Sequence, residues 1–149
     1  MRLLVLGTGG MAKHHVEHFQ AIPGVEVVGG VDVSQERVDA FSDKHGIQNR
    51  FTSLEDAIAW GKFDSATNVT PDKAHHPTTM ALLAAGKNVM CEKPLAENHA
   101  KALEMTEAAE KAGQIKGNIT IVPMANPIGM GQWLHGEHMG RFEFFSRIN

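Results

Sequence analysis

The chain has 149 residues, 42% hydrophobic and 21% charged, which suits one compact globular domain and excludes a disordered chain. Its formal charge is −3 with no long basic run, so neither a nucleic-acid footprint nor attraction to an anionic membrane surface is expected. A single cysteine, Cys91, excludes an internal disulfide and fits a reducing cytoplasm, the expected compartment, and no apolar run approaches the length of a membrane span.

From the N-terminus, Leu3 to Leu6 reads as a buried strand. It runs directly into GTGGMA, residues 7 to 12, and a helix is expected from about Gly10. Val25 to Val31 reads as a second strand, ending beside Asp32. Ser34 stands where a helix N-cap belongs, Val38, Phe41 and His45 share one helical face, and Gly46 sits at the stop. Arg50 to Thr52 suggests a short third strand. Ser53 caps a short helix with acidic residues in its first turn and Trp60 as a partly buried anchor. Ser65 to Val69 is the next strand, followed by a helix that stops at Gly86, and then by the strand Asn88 to Cys91. Asn98 caps a helix whose apolar stripe is Ala102, Met105, Ala109 and Ala112, stopping at Gly113. Ile119 to Val122 completes the strands.

Continuous apolar strands alternating with amphipathic helices predict an α/β fold, a doubly wound parallel sheet with right-handed crossovers. Pro123 and Pro127 break this alternation, a helix is possible over Gly129 to Leu134, and Arg141 to Ile148 reads as a phenylalanine-rich strand in need of a partner. The expected boundary therefore lies near Pro123: residues 1–122 form one domain, and 123–149 a C-terminal extension that begins a second. Self-association through the terminal strand, giving a homo-oligomer, is the matching expectation.

The loop after the first strand has the pattern G-x-G-x-x-A, a variant of the dinucleotide fingerprint. Gly7 permits the tight turn, Gly9 lets main chain approach a diphosphate, and Ala12 allows close helix–strand packing. Gly10 and Met11 open the helix, whose free N–H groups and positive dipole end face the phosphates. Asp32 follows Ala12 by 32 − 12 = 20 residues, the spacing at which a carboxylate meets the adenosine ribose. That carboxylate would repel a 2′-phosphate, which favours NAD. Ser34 and Arg37 keep NADP open.

Residues 68 to 96, NVTPDKAHHPTTMALLAAGKNVMCEKPLA, resemble the glucose–fructose oxidoreductase, inositol dehydrogenase and rhizopine-catabolism (Gfo/Idh/MocA) family. The resemblance rests on Thr70-Pro71 with His75, on Ala85-Gly86-Lys87 and on Glu92-Lys93-Pro94, in that order behind the glycine loop. It implies an N-terminal Rossmann domain and a C-terminal open-sheet domain. It also implies a nicotinamide cofactor, with oxidation or reduction of CH–OH groups of sugars or polyols. On this resemblance Thr70, Pro71 and His75 lie along the cofactor, Glu92 lies beside its nicotinamide end, and Pro94 is in the cis form. Lys93 is the catalytic candidate: an amine beside the nicotinamide can hydrogen-bond a substrate hydroxyl and share its proton.

The family's second contribution, a histidine with an aspartate shortly before it, is not matched by His135 or His138. Ile121 to Met124 replace the family's aromatic and arginine pattern. Two readings follow: the cofactor domain of a larger dehydrogenase, or a stand-alone dinucleotide-binding module, sensor or subunit. A scaffold with a vestigial site is disfavoured by the intact glycines and Asp32. There are nine histidines, and His14 and His18 share a helical face, but no zinc spacing occurs, so no metal site is expected. Cys91 has no paired base and reads as core.

Overall fold

The computed structural model describes residues 1–111 and, farther on, the strand residues 133–134 and 137–138. The chain divides into two compact units, Met1–Lys116 and Gly117–Asn149. The first contains β1 (Arg2–Leu6), α1 (Gly10–Gln20), β2 (Glu26–Val31), α2 (Gln35–His45), β3 (Asn49–Phe51), α3 (Leu54–Trp60), β4 (Ser65–Asn68), α4 (Asp72–Ala84), β5 (Asn88–Cys91) and α5 (His99–Lys111). The second contains β6 (Trp133–Leu134) and β7 (Glu137–His138), an antiparallel pair.

Every pairing within the larger sheet is parallel, in the order β3-β2-β1-β4-β5. A parallel sheet needs crossovers, and the helices that make them cover both faces. One core layer gathers Leu3, Val5, Ala12, Val16, Val27, Phe41 and Ile47, joining β1 and β2 to α1 and α2. The other gathers Leu4, Leu6, Val28, Leu54, Ala57, Phe63, Ala66 and Leu82, joining the sheet to α3 and α4. Leu3 to Leu6 alternate between the layers and are all at most 4% exposed, which is why β1 reads as an unbroken apolar run. Each such leucine contributes roughly 1.5–3 kcal/mol by burial.

The helix boundaries follow local chemistry. Ser34 Oγ accepts from the Arg37 N–H at 3.3 Å and Ser53 Oγ from the Asp56 N–H at 3.1 Å. Asn98 Oδ1 accepts from the Lys101 N–H at 3.0 Å and starts α5. Gly46 ends α2 at φ 69, a left-handed conformation that side chains resist.

Trp133 and Leu134 pair as a strand, so the helix expected over Gly129 to Leu134 does not include its last two residues. Trp133 pairs with His138 and Leu134 with Glu137, which requires extended backbone at these two residues. Ala112, Gly113, the strand expected at Ile119–Val122 and the segment Arg141–Ile148 lie outside the described residues.

Candidate functional site

β1 lies between β2 and β4, so the chain leaves it in opposite directions on its two sides. Open α/β sheets take ligands in the crevice beyond the strand ends at such a switch point. Here that edge collects the glycine loop after β1, Asp32 after β2, Thr70-Pro71 after β4 and Glu92-Lys93-Pro94 after β5.

Gly7 turns the chain at φ 90, with its N–H donating to Val31 O at 2.8 Å. A Cβ on this residue would stand 2.9 Å from Val69 O, so β1 and β4 come too close here for a side chain. Gly9 is the N-cap of α1 and offers no side-chain acceptor, and no acidic residue lies in the helix's first turn. A Cβ at Gly9 or Gly10 would meet nothing within 4 Å among the described residues. Serines cap α2 and α3, whereas the first N–H groups of α1 have no side-chain cap. That donor set fits a diphosphate. Ala12 is fully buried against the sheet, while Met11 is half exposed.

Asp32 is 8% exposed and its carboxylate is fully engaged. Oδ2 accepts from the Thr8 N–H at 3.0 Å and the Thr8 hydroxyl at 2.8 Å. Oδ1 accepts from the Ser34 N–H at 3.0 Å and from Arg37 Nε and Nη2 at 3.1 and 2.8 Å. Burial alone would raise its pKa, but the bonds from Ser34, Thr8 and Arg37 together outweigh this and hold it below the ordinary carboxylate range. Arg37 is the movable partner, since its side chain is 59% exposed. Ser34, which caps α2, and Thr8 hold the charge without it.

The depressed carboxyl carries a stability consequence. The folded pKa lies below the unfolded value of about 3.9, so the stabilisation is present above that value and is lost as pH falls through the folded pKa. Asp32→Asn is therefore expected to cost ~2 kcal/mol in urea unfolding at pH 7 and less at an acid pH below the folded pKa, where the carboxyl is protonated. An equal cost at both pH values would contradict the assignment.

On the other side of the crevice, Asn68 is fully buried. Its Nδ2 donates to Thr78 Oγ1 at 2.8 Å and Thr79 Oγ1 at 3.0 Å, and its Oδ1 accepts from the Thr70 hydroxyl at 2.7 Å. Pro71 is the N-cap of α4. His75 is 1% exposed, with Nδ1 2.7 Å from Pro94 O and Nε2 2.8 Å from Thr70 O. Both ring nitrogens face main-chain carbonyls, of which a neutral ring donates to one, and the buried His75 braces the crevice rather than facing into it.

The Lys93–Pro94 peptide is cis, as the resemblance implies, and Lys93 is exposed. Glu92 Oε2 accepts from the Lys93 N–H at 3.0 Å, and Glu92 Oε1 lies 3.0 Å from His15 Nε2. The His15 bond first, and then the Lys93 amide, hold the Glu92 carboxyl below the usual range. Burial pushes the Cys91 thiol up, the wrong direction for a nucleophile. His18 Nδ1 is 2.6 Å from His14 O, and among the described residues no cluster of metal-ligating side chains occurs.

Thr8, His15 and Asn68 are the residues that the sequence reading overlooks. For His15 a signal existed: it falls on the buried stripe of Ala12, Val16 and Phe19 at spacings of three and four.

A five-stranded parallel sheet with a glycine loop at its switch point defines the dinucleotide-binding Rossmann class. A family model described as an oxidoreductase family with an NAD-binding Rossmann fold matches residues 1–118, and the chain belongs to that family, Gfo/Idh/MocA. The chain is 34% identical over 113 residues to the 1,5-anhydro-D-fructose reductase of Ensifer adhaerens, covering 76% of this chain and 34% of the relative. It is 28% identical to the scyllo-inositol 2-dehydrogenase (NADP(+)) IolU of Bacillus subtilis, covering 77% and 35%. Among solved structures, the WlbA dehydrogenase from Bordetella pertussis, in complex with NADH and UDP-GlcNAcA, superposes with a TM-score of 0.72 at 29% identity, covering 76% and 35%. The chain spans about a third of the length of the curated relatives it matches. Among the described residues no helix is long and apolar enough to cross a membrane.

Proposed function

We propose that this chain is the cofactor domain of a cytoplasmic oxidoreductase acting on CH–OH groups of sugars or polyols, with NAD preferred to NADP. The carrying observation is the convergence at one sheet edge of an uncapped glycine-led helix start, a carboxylate held ionised, and an exposed lysine on a braced segment. The names of the relatives, an anhydrosugar reductase and a cyclitol dehydrogenase, support the substrate class.

The diphosphate would lie over Gly9, Gly10, Met11 and the start of α1, with Ala12 keeping the helix close to the sheet and Gly7 making the turn. Asp32 would take the ribose hydroxyls once Arg37 swings outward, with Ser34 and Thr8 keeping the carboxylate in place. Thr70 and Pro71 would border the middle of the ligand, His75 would support that border from below, and Glu92 would mark the nicotinamide end. When bound, the nicotinamide supplies the hydride acceptor or donor. Lys93 Nζ would hydrogen-bond the substrate hydroxyl, orient it and share the proton that must leave with the hydride. An acid–base group from a second domain, beginning near residue 123, would complete catalysis. The phenylalanine-rich residues 141–148 would pair copies of the chain.

The test is a calorimetric titration with NADH and NADPH, with polyol turnover and light-scattering mass measured on the same sample. Binding without turnover is expected, and turnover by this chain alone would contradict the need for a second domain. Asp32→Ala is expected to weaken NADH at least ~10-fold while NADPH changes little, since a charged hydrogen bond to the ribose is lost. Equal losses for both cofactors would remove Asp32 from the ribose site.

A further inference from the structure

We propose that His15 and His75 form a two-point clamp on the Lys93 segment, with His15 a positioning residue for the nicotinamide end of the site. The inference rests on the placement of Lys93 given above and adds what holds it there. Residues 92–98 lie outside any helix or strand, and the last sheet-type bond before the lysine is that of the Glu92 N–H to Asn68 O at 2.9 Å. The two residues that flank it are each tied to a buried imidazole. Glu92 meets His15 Nε2 at 3.0 Å and accepts from the Lys93 N–H at 3.0 Å. Pro94 O meets His75 Nδ1 at 2.7 Å.

His15 is anchored a second time on β4, and the His75 ring is wedged between Pro94 O and the turn after β4, two carbonyls of which a neutral ring donates to one. His15 Nδ1 lies 2.8 Å from Thr67 Oγ1, and His75 Nε2 lies 2.8 Å from Thr70 O. His15 belongs to α1 and His75 to α4, helices that pack in opposite core layers. The segment is therefore gripped from both faces of the sheet. The rings are 8% and 1% exposed, so water competes weakly for these bonds. A carboxylate oxygen only accepts, so His15 Nε2 carries the proton that faces Glu92, while the Thr67 hydroxyl, able to donate or accept, partners Nδ1. The chain Thr67–His15–Glu92–Lys93 N–H is continuous. It links the helix behind the glycine loop to the lysine, and hence one end of a dinucleotide site to the other.

The experiment compares His15→Leu with His15→Gln, whose amide keeps an N–H for Glu92. NADH and ADP-ribose, which lacks the nicotinamide, are titrated into each variant, and the Lys93 amide resonance is followed by NMR without ligand. His15→Leu is expected to weaken NADH about tenfold, leave ADP-ribose within about twofold, and shift the Lys93 amide, with His15→Gln recovering most of each effect. Equal weakening of both ligands would mean that His15 only supports the fold, and an unmoved Lys93 amide would overturn the clamp outright. If the wild-type chain binds neither ligand, the cofactor reading fails, and the amide measurement still decides the clamp. Should His15→Leu not fold, Glu92→Leu removes both acceptors at a partly exposed residue, and an unchanged Lys93 amide there overturns the proposal equally.

Discussion

Gly7→Ala is expected to destabilise the domain by ~2–6 kcal/mol, the largest stability loss from adding a single methyl group in the glycine loop. Two causes add. At φ 90 an L side chain strains the backbone, at a cost of about 1–3 kcal/mol. The new Cβ would also press on Val69 O at 2.9 Å. That oxygen cannot easily retreat, because the Val69 N–H donates to Leu6 O at 2.9 Å and ties the turn to β1. Overpacking against main chain costs a further ~1–3 kcal/mol. Urea unfolding at neutral pH reads the loss as a lower midpoint at unchanged slope. A midpoint equal to that of the wild type would show that the β1–β4 approach is not tight.

Gly9→Val is expected to do the reverse: little harm to the fold and about a hundredfold loss of dinucleotide affinity. The φ of Gly9 is −73, which valine tolerates, and its Cβ would meet nothing described within 4 Å. Stability should fall by no more than ~1 kcal/mol, the cost of a poor N-cap. A branched side chain would instead fill the space through which a diphosphate reaches the α1 N–H groups. Losing those charge-assisted bonds accounts for ~2–3 kcal/mol. NADH titration beside a urea curve separates the two effects. Affinity within about threefold of wild type would place the phosphates elsewhere, because bonds of this kind are worth far more. The pair of variants thus divides one short motif into a glycine that the fold needs and a glycine that only a ligand needs.

Much of the architecture was legible because it is written locally. Ser34, Ser53 and Asn98 announce helix starts through side chains that reach N–H groups three residues on, and Gly46 announces a stop through its backbone freedom. The glycine loop and Asp32 were legible by spacing. The residues that brace the crevice were not, because their partners are remote in sequence: His15 lies 52 residues from Thr67 and 77 from Glu92. His14 and His15 are also indistinguishable as letters, and only the helical phase set by Ala12 and Val16 turns one inward. Asn68 looked like the polar end of an apolar strand. Arg37 was legible as a phosphate candidate, but its resting place on Asp32 was not, because that contact depends on how the first turn of α2 is set by its cap.

Asn68 has a consequence for how a ligand would be received. Its amide nitrogen holds two hydroxyls of α4 and its oxygen holds the turn that leads into α4, so turn and helix are joined as one rigid body. An aspartate of the same shape would place oxygen where donation is required, so the joint depends on the amide having two unlike ends. A crevice wall locked in this way is in place before any guest arrives, and little freedom remains there to be given up on complex formation.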